Sequence, residues 1–269
     1  MTALWDLAGA ARTIDLAHPY RVGMPQSPNH PPFRMVMERR HGDMVREDGG
    51  SAANEFLVLG GHVGTHVDAL AHVSQDGLLH GGVKAADVMS HKGFSRLGAD
   101  EFQPFVGRAV LLDVTAVHGV PVLPAGYQIT AQDLEAARER AGVTIRPGDA
   151  ILIASGWSRR WAETEAFVGQ TNGVPGPGEE AGKWLAAKKP RLVGAESIAF
   201  EHIPAGQGHA RLPVHRLMLV EHGINIVETM NLTELIDSGS REFLLILAGL
   251  NLAGATGSPV RPLALVHPS

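Results

Sequence analysis

The sequence of 269 residues is 44% hydrophobic, which is enough apolar material for a substantial core. Its 23 Lys and Arg against 28 Asp and Glu give a formal net charge of −5 without a basic run, so we expect neither a nucleic-acid nor a membrane partner. The absence of cysteine excludes disulfides, thiolate nucleophiles and cysteine-ligated metal clusters, so any metal must be held by histidine, carboxylate, amide or backbone groups.

The first eighteen residues lack the basic head and continuous apolar stretch of a signal peptide. No stretch of about 18 uninterrupted apolar residues, the length needed to cross a bilayer, is present either. From these two observations we expect a cytoplasmic protein.

Predicted strands and helices alternate along the chain. The segment 20–34 is rich in proline and predicts an irregular surface arm. Short apolar runs predict strands at 56–59 (buried), 106–114, 150–155, 192–195, 224–228 and 259–266, and a further apolar run covers 243–250. Helices are predicted from the N-cap Thr130 to Gly142, over 179–188, and over 212–222 up to Gly223. This alternation predicts an α/β domain with a mixed sheet.

Residues 60–72 contain a dense cluster of ligand-type side chains, His62, His66, Asp68 and His72. In an extended strand the first three share one face, because side chains alternate between faces, whereas a helix would turn Asp68 away from both histidines. The spacing therefore favours a strand. Structural histidines near a turn are the alternative interpretation, but four such residues in a short segment favour a metal site.

A straight strand would separate the Cα atoms of His62 and His66 by about 13 Å, near the limit for two imidazoles on one ion. Either the chain bends between them or they bind different ions. Gly64 lies where a bend would shorten the span. Asp68 is close enough to His66 to share an ion, and its second oxygen can bridge to a neighbour. His72 lies one helical turn further if a helix begins after Asp68.

Further ligands are expected from a distant segment, because catalytic sites combine separate parts of a chain. Glu228 closes an apolar strand, a costly position for a carboxylate unless it binds something. A strand-end carboxylate that reaches solvent is the alternative. His209 and His215, in the stretch 206–216, are the candidates for a distal histidine.

These segments resemble the metal-dependent cyclase or hydrolase family that includes bacterial kynurenine formamidase and isatin hydrolase. The segment 62–72 is similar to that family's His-x-Gly-Thr-His-x-Asp-Ala-x-x-His signature. The resemblance runs in order from near residue 14 to near residue 266, through 15–25, 214–219, 226–228, 231–232 and the tail 257–262.

The resemblance implies that His62, His66 and Asp68 are metal ligands. It implies that His72 is either a ligand of a second metal or an acid/base group. His215 and Glu228 fall on the distal histidine and glutamate that complete a two-metal site in the formamidases.

Two departures from the family pattern bear on these roles. Leu70 stands where the family has proline. One residue more than expected separates His215 from Glu228, so His209 remains a rival distal ligand.

The resemblance also implies a single domain over residues 1–269, of the swivelling β/β/α type with a mixed sheet, assembled as a homodimer or homotetramer. The arm at 20–34 would contact a partner subunit or cover the site. The segment 156–180 is a variable loop in which substrate identity can differ.

Divalent ions held by histidine and carboxylate ligands lower the pKa of bound water and polarise carbonyl groups. With this chemistry, the resemblance implies a metal-dependent hydrolase of a small cyclic or N-acyl amide, of the formamide, lactam or imide type, with one or two Zn²⁺ or Mn²⁺ ions per subunit. Asp68 and His72 are the predicted catalytic residues. The alternatives are a lactone hydrolase, a dehydratase or cyclase acting on a small carbonyl compound, and, ranked last, a non-catalytic scaffold.

Trp157, Trp161 and Phe167 have two interpretations. They form either an apolar wall against the substrate or part of the core, and the core is the more frequent place for such residues.

Overall fold

A nine-stranded mixed sheet runs through the centre of the structure, a computed structural model that describes residues 4–267. The described residues form fifteen strands, nine in this sheet and six in three separate two-stranded pairs. In chain order they are β1 (Arg12–Asp15), β2 (Arg34–Arg39), β3 (Asn54–Val58), β4 (His66–Asp68), β5 (Met89–Ser90), β6 (Gly93–Phe94), β7 (Phe105–Asp113), β8 (Gln128–Ile129), β9 (Ala150–Ala154), β10 (Gly176–Pro177), β11 (Leu192–Ala195), β12 (Asn225–Glu228), β13 (Glu242–Leu247), β14 (Gly257–Pro259) and β15 (Leu263–Val266).

Helices lie between these strands. The α-helices are α1 (Leu4–Ala10), α2 (Ala85–Val88), α3 (Val114–His118), α4 (Ala131–Ala141), α5 (Thr164–Val168), α6 (Glu179–Ala187), α7 (Pro213–His215) and α8 (Thr233–Asp237). Short 3₁₀ turns cover His80–Gly82, Ala99–Glu101 and Trp157–Arg160, and a π-helix covers Arg216–His222. Among the described residues, none of these helices combines the length and the apolar character that crossing a bilayer requires.

The strand order in the central sheet is β1-β15-β13-β7-β9-β11-β12-β4-β14. Strands β7, β9, β11 and β12 run parallel, and the strands on either side of this block are antiparallel. The parallel strands are apolar along most of their length because both of their faces are covered. One face packs against residues such as Leu134 of α4 and Leu185 of α6, and the other packs against residues such as Leu16 and Leu235. The predicted α/β fold with a mixed sheet is confirmed.

Helix α4 shows how the local sequence sets an element. The Thr130 hydroxyl accepts a hydrogen bond from the Asp133 backbone N–H at 3.1 Å, and the Asp133 carboxylate accepts one from the Thr130 backbone N–H at 2.9 Å. Gly142 ends the helix in the left-handed conformation. The helix therefore begins and ends as predicted, because both capping signals are local.

The structure corrects three predicted elements. The run 56–59 is not a buried strand, because β3 pairs only with β2 in a separate hairpin in which Phe56 is 60% exposed. The arm at 20–34 is not confined to the surface, because Met24 and Phe33 are buried against Val63. The final predicted strand, 259–266, is divided into β14 and β15, which pair with different parts of the sheet.

Candidate metal centre

Strand β4 carries two of the predicted ligands and lies between β12 and β14, one strand in from the edge of the sheet. His66 and Asp68 are two residues apart and therefore share a face. Glu228 of β12 lies directly opposite His66 in the antiparallel register, which brings its side chain to the same face. His66 Nε2 lies 3.4 Å from Asp68 Oδ1 and 3.3 Å from Glu228 Oε2, and all three side chains are buried.

His62 reaches the same carboxylate because the chain bends at Gly64, as predicted. Gly64 has a φ of +63°, and a Cβ there would lie 2.5 Å from Tyr20 Cε1, so only glycine fits. His62 lies in the loop before β4, and its Nδ1 is 2.8 Å from Asp68 Oδ1. A Cβ on Gly257 would lie 2.5 Å from His62 Cε1, so Gly257 leaves the space that this ring occupies.

His72 lies in the cluster, but no helix begins after Asp68 to bring it there. Its backbone N–H donates to the Ala69 carbonyl at 3.0 Å, which closes a tight turn directly after β4. The His72 ring stacks on His62 with 3.8 Å between centroids. A turn therefore brings His72 back beside His62, where a helix was expected.

His215 enters from the other side of the cluster, on the short helix α7. Its Nε2 lies 3.0 Å from Glu228 Oε1 and 3.6 Å from Asp68 Oδ2. Its Nδ1 lies 2.7 Å from the buried carboxylate of Glu201.

Two groups of ligand atoms result, and they share Asp68. One consists of His62, Asp68 and His72, and the other of His66, Asp68 and Glu228; the atoms of each group lie within 4.8 Å of one another.

The donor set fits a divalent metal ion. His66 Nε2, Asp68 Oδ2 and Glu228 Oε1 are buried and lie close to other groups of the cluster, but none of them makes a hydrogen bond of acceptable geometry. Burial of polar atoms that are left unsatisfied is costly. Imidazole and carboxylate donors in this arrangement suit zinc or manganese, and an ion would satisfy all three atoms together.

The carboxylates set the charges of the cluster. Burial lowers the pKa of His66, but the adjacent Asp68 and Glu228 outweigh this effect and raise that pKa to about 10. Burial likewise lowers the pKa of His215, but Glu201 and Glu228 raise it well above its usual value. His72 differs, because burial dominates and lowers its pKa to about 4, so its imidazole is neutral at pH 7.

Metal binding near pH 7 is expected to release protons. A ligand imidazole must be neutral, whereas His66 without metal holds its proton up to a pKa of about 10. Below that pH the ion displaces the proton, so metal affinity is expected to rise as pH rises toward about 10. Calorimetric titration with Zn²⁺ in buffers of different ionisation enthalpy measures the release. Binding heats that do not depend on the buffer would contradict this expectation.

The remaining predicted residues lie elsewhere. His209 Nδ1 is 3.4 Å from the Asn29 side-chain amide, and His209 belongs to neither donor group. Trp157 and Phe167 are fully buried, and the Trp157 indole N–H donates to the Phe167 carbonyl at 3.0 Å. Their burial favours a role in packing.

Three contacts were missed from the sequence. Glu201 contacts His215 Nδ1, Thr256 Oγ1 lies 2.9 Å from His62 Nε2, and the His30 ring stacks on His62 at 5.2 Å. Glu201 carries the signal that identified Glu228, a carboxylate at the end of an apolar run. No local pattern marks Thr256 or His30.

Comparison with known proteins gives a consistent result. A family model named Cyclase matches residues 14–202. The chain is 27% identical to isatin hydrolase from Roseibium aggregatum over 223 residues, which cover 81% of this chain and 77% of that protein. It is 24% identical to kynurenine formamidase from Bacillus cereus over 255 residues, which cover 95% and 97% of the two chains.

A solved structure shares the fold over nearly the whole chain. It is a crystal structure described as a novel cyclase, with 29% sequence identity and a TM-score of 0.85. The match covers 98% of this chain and 93% of that one.

Proposed function

The chain belongs to the cyclase family, and from this premise we propose that it hydrolyses a small cyclic or N-acyl amide with the help of one or two divalent metal ions. The observation that carries the proposal is the shared carboxylate of Asp68, which contributes to both groups of ligand atoms. The similar isatin hydrolase and kynurenine formamidase support the substrate class, because both are hydrolases of carbon–nitrogen bonds.

The residues divide into two ligand sets. His62, Asp68 and His72 would hold one ion. His66, Asp68 and Glu228 would hold the other, with His215 as an additional ligand because its Nε2 points at Glu228 Oε1. His215 is preferred to His209 on this contact. Zinc and manganese both suit these ligands.

A divalent ion bound here supplies water of lowered pKa and polarises the substrate carbonyl. Asp68 supplies the negative charge that holds the cluster of histidines together. His72 has two alternative roles: it would help to hold the first ion, or its neutral imidazole would accept a proton and pass it to the leaving nitrogen, so that the amine departs uncharged. The burial of the carboxylates strengthens each of these interactions by excluding water.

The test is metal analysis of the purified protein together with turnover of isatin, N-formylkynurenine and a lactone before and after chelation. We expect one or two zinc or manganese ions per chain and hydrolysis of an amide substrate that chelation abolishes and metal restores. Absence of bound metal after reconstitution would overturn the proposal. Faster turnover of the lactone than of either amide would overturn the substrate class.

We further propose that the hairpin of β2 and β3 contacts a second copy of the chain. Each of its faces exposes apolar side chains, because the pairs Met35–Leu57 and Val36–Phe56 lie on opposite sides, and these four side chains are 48% or more exposed. An isolated two-stranded ribbon is marginally stable in water and needs a surface to pack against. The strands also carry charges of both signs, from Arg34, Glu38, Arg39 and Glu55, which suits a contact between identical surfaces.

Sedimentation analysis is expected to give a mass two or four times 28.6 kDa. The double variant Met35→Glu with Phe56→Glu, which places a charge on each face, should reduce the mass to that of one chain. Val106→Glu is the control, because Val106 is 67% exposed on β7, outside the hairpin. A monomeric wild-type protein at micromolar concentration would contradict the proposal.

A further inference from the structure

Glu201 is a buried carboxylate that belongs to neither group of metal ligands. Its Oε1 accepts hydrogen bonds from His215 Nδ1 at 2.7 Å and from the His215 backbone N–H at 2.8 Å. Its Oε2 accepts one from the Val214 backbone N–H at 3.0 Å. One carboxylate therefore binds both the backbone and the ring of the same histidine.

These contacts determine which ring nitrogen of His215 is available. In the neutral form of the ring that a metal ligand requires, a proton on Nδ1 donated to Glu201 leaves the lone pair on Nε2, beside Glu228 Oε1 and Asp68 Oδ2. The two backbone contacts hold the first turn of α7 against the same carboxylate, so the position of the ring is fixed along with its tautomer.

His66 is also oriented by a hydrogen bond at Nδ1, but its acceptor is a neutral carbonyl and the bond is therefore weaker. Its Nδ1 lies 2.8 Å from the Gly64 carbonyl, a neutral acceptor, and its Nε2 faces Asp68 and Glu228. His215 has a charged acceptor in the same place, and hydrogen bonds to charged acceptors are the stronger kind. The two histidines thus approach Glu228 with the same nitrogen, each held by a different acceptor.

The backbone beside Glu201 is strained. Phe200 has a φ of +54°, a left-handed conformation that is unfavourable for a bulky side chain. Such a conformation persists where the surrounding structure over-determines it, and this often occurs beside functional groups. Here the left-handed residue Phe200 directly precedes Glu201, whose carboxylate contacts the backbone N–H groups of α7.

We propose that Glu201 is a positioning residue that fixes the Nδ1–H tautomer and the orientation of His215, and thereby strengthens metal binding at Nε2. This inference rests on the proposed function, because it requires that His215 bind a metal. Outer carboxylates of this kind typically contribute 10–100-fold to metal affinity.

Glu196 provides a matched control in the same segment. It is also fully buried, and its carboxylate accepts hydrogen bonds from the backbone and hydroxyl groups of Ser155 and Ser158. None of these contacts involves a proposed metal ligand. Glu196→Gln therefore reports the general effect of neutralising a buried glutamate.

The experiment compares Zn²⁺ affinity in the wild-type protein, Glu201→Gln, Glu201→Asp and Glu196→Gln by competition with a chromophoric chelator. We expect Glu201→Gln to weaken binding of one ion by about 10–100-fold, Glu201→Asp to recover part of that loss, and Glu196→Gln to bind as the wild type does. Equal affinities of Glu201→Gln and wild type, or an equal loss in Glu196→Gln, would overturn the proposal.

A second measurement needs no variant. In the zinc-loaded wild-type protein, ¹⁵N spectra of the histidine side chains should show His215 protonated at Nδ1 and metal-bound at Nε2. The opposite assignment would overturn the inference even if Glu201→Gln failed to fold. Different results would contradict the proposed function and the proposed role of Glu201. A wild-type protein that binds no zinc contradicts the proposed function, whereas zinc binding without the expected His215 tautomer contradicts only the role of Glu201.

Discussion

Asp68→Asn is expected to remove bound metal and to lower kcat/KM by at least about a thousandfold. Asp68 is the one residue common to both ligand groups, and asparagine keeps the size of the side chain while removing its charge. Loss of a catalytic metal costs several kcal/mol of transition-state stabilisation, and each 1.4 kcal/mol corresponds to about a factor of ten. Elemental analysis and steady-state kinetics on the purified variant measure both losses.

Asp149→Asn is the control for this experiment. Asp149 is also buried and charged, but its partners are Arg108 and the Arg146 backbone, outside the ligand groups. Removing one partner of a buried ion pair destabilises a protein by about 3–5 kcal/mol, so both variants are expected to unfold more easily. Only Asp68→Asn should lose metal, and retention of stoichiometric metal by that variant would contradict the ligand assignment.

His72→Asn is expected to lower kcat by about 10²–10⁴-fold, the usual contribution of a positioned proton-transfer group. The neutral imidazole of His72 lies against His62 and close to Asp68, where it can bind an ion or transfer a proton. Metal stoichiometry separates these roles. One ion fewer per chain identifies a ligand, and an unchanged count identifies an acid/base group.

The matched variant for this comparison is His80→Asn. His80 is partly buried, and its Nδ1 contacts the Val220 carbonyl at 2.9 Å, away from the ligand groups. Its replacement should leave kcat within a few-fold of the wild type. A decrease in kcat of less than tenfold in His72→Asn would exclude both catalytic roles.

Local patterns predicted most of the central sheet. Strands β7, β9, β11 and β12 were located within one or two residues, because each is a short apolar run between turns. Helix α4 was located from its two caps. The hairpin was placed wrongly in the core. An apolar run indicates burial but does not say against which surface, and here Phe56 and Leu57 remain 60% and 48% exposed.

The spacing pointed to the cluster of His62, His66 and Asp68 and offered a bend at Gly64 as one of two options. The single strand that it favoured for all three residues is wrong for His62, which lies in the loop before β4. The position of Glu228 opposite His66 did not follow from the spacing, because it depends on the order of strands in the sheet. The sequence marked Glu228 as a candidate ligand, and the family resemblance assigned it to the same site, but neither gave its place in the sheet. Glu201 was not predicted as a site residue, although its sequence context resembles that of Glu228. Its importance depends on a contact with α7 that no periodicity encodes.

The place of β4 in the sheet has a consequence for synthesis of the chain. Its neighbours β12 and β14 lie near the other end of the sequence, and Thr256 contacts the first histidine of the cluster. A nascent chain on the ribosome presents His62, His66 and Asp68 early, but Glu228 and the strand that completes this edge emerge almost last. The complete set of ligands therefore exists only after Glu228 has been synthesised, so metal acquisition should follow synthesis of most of the chain.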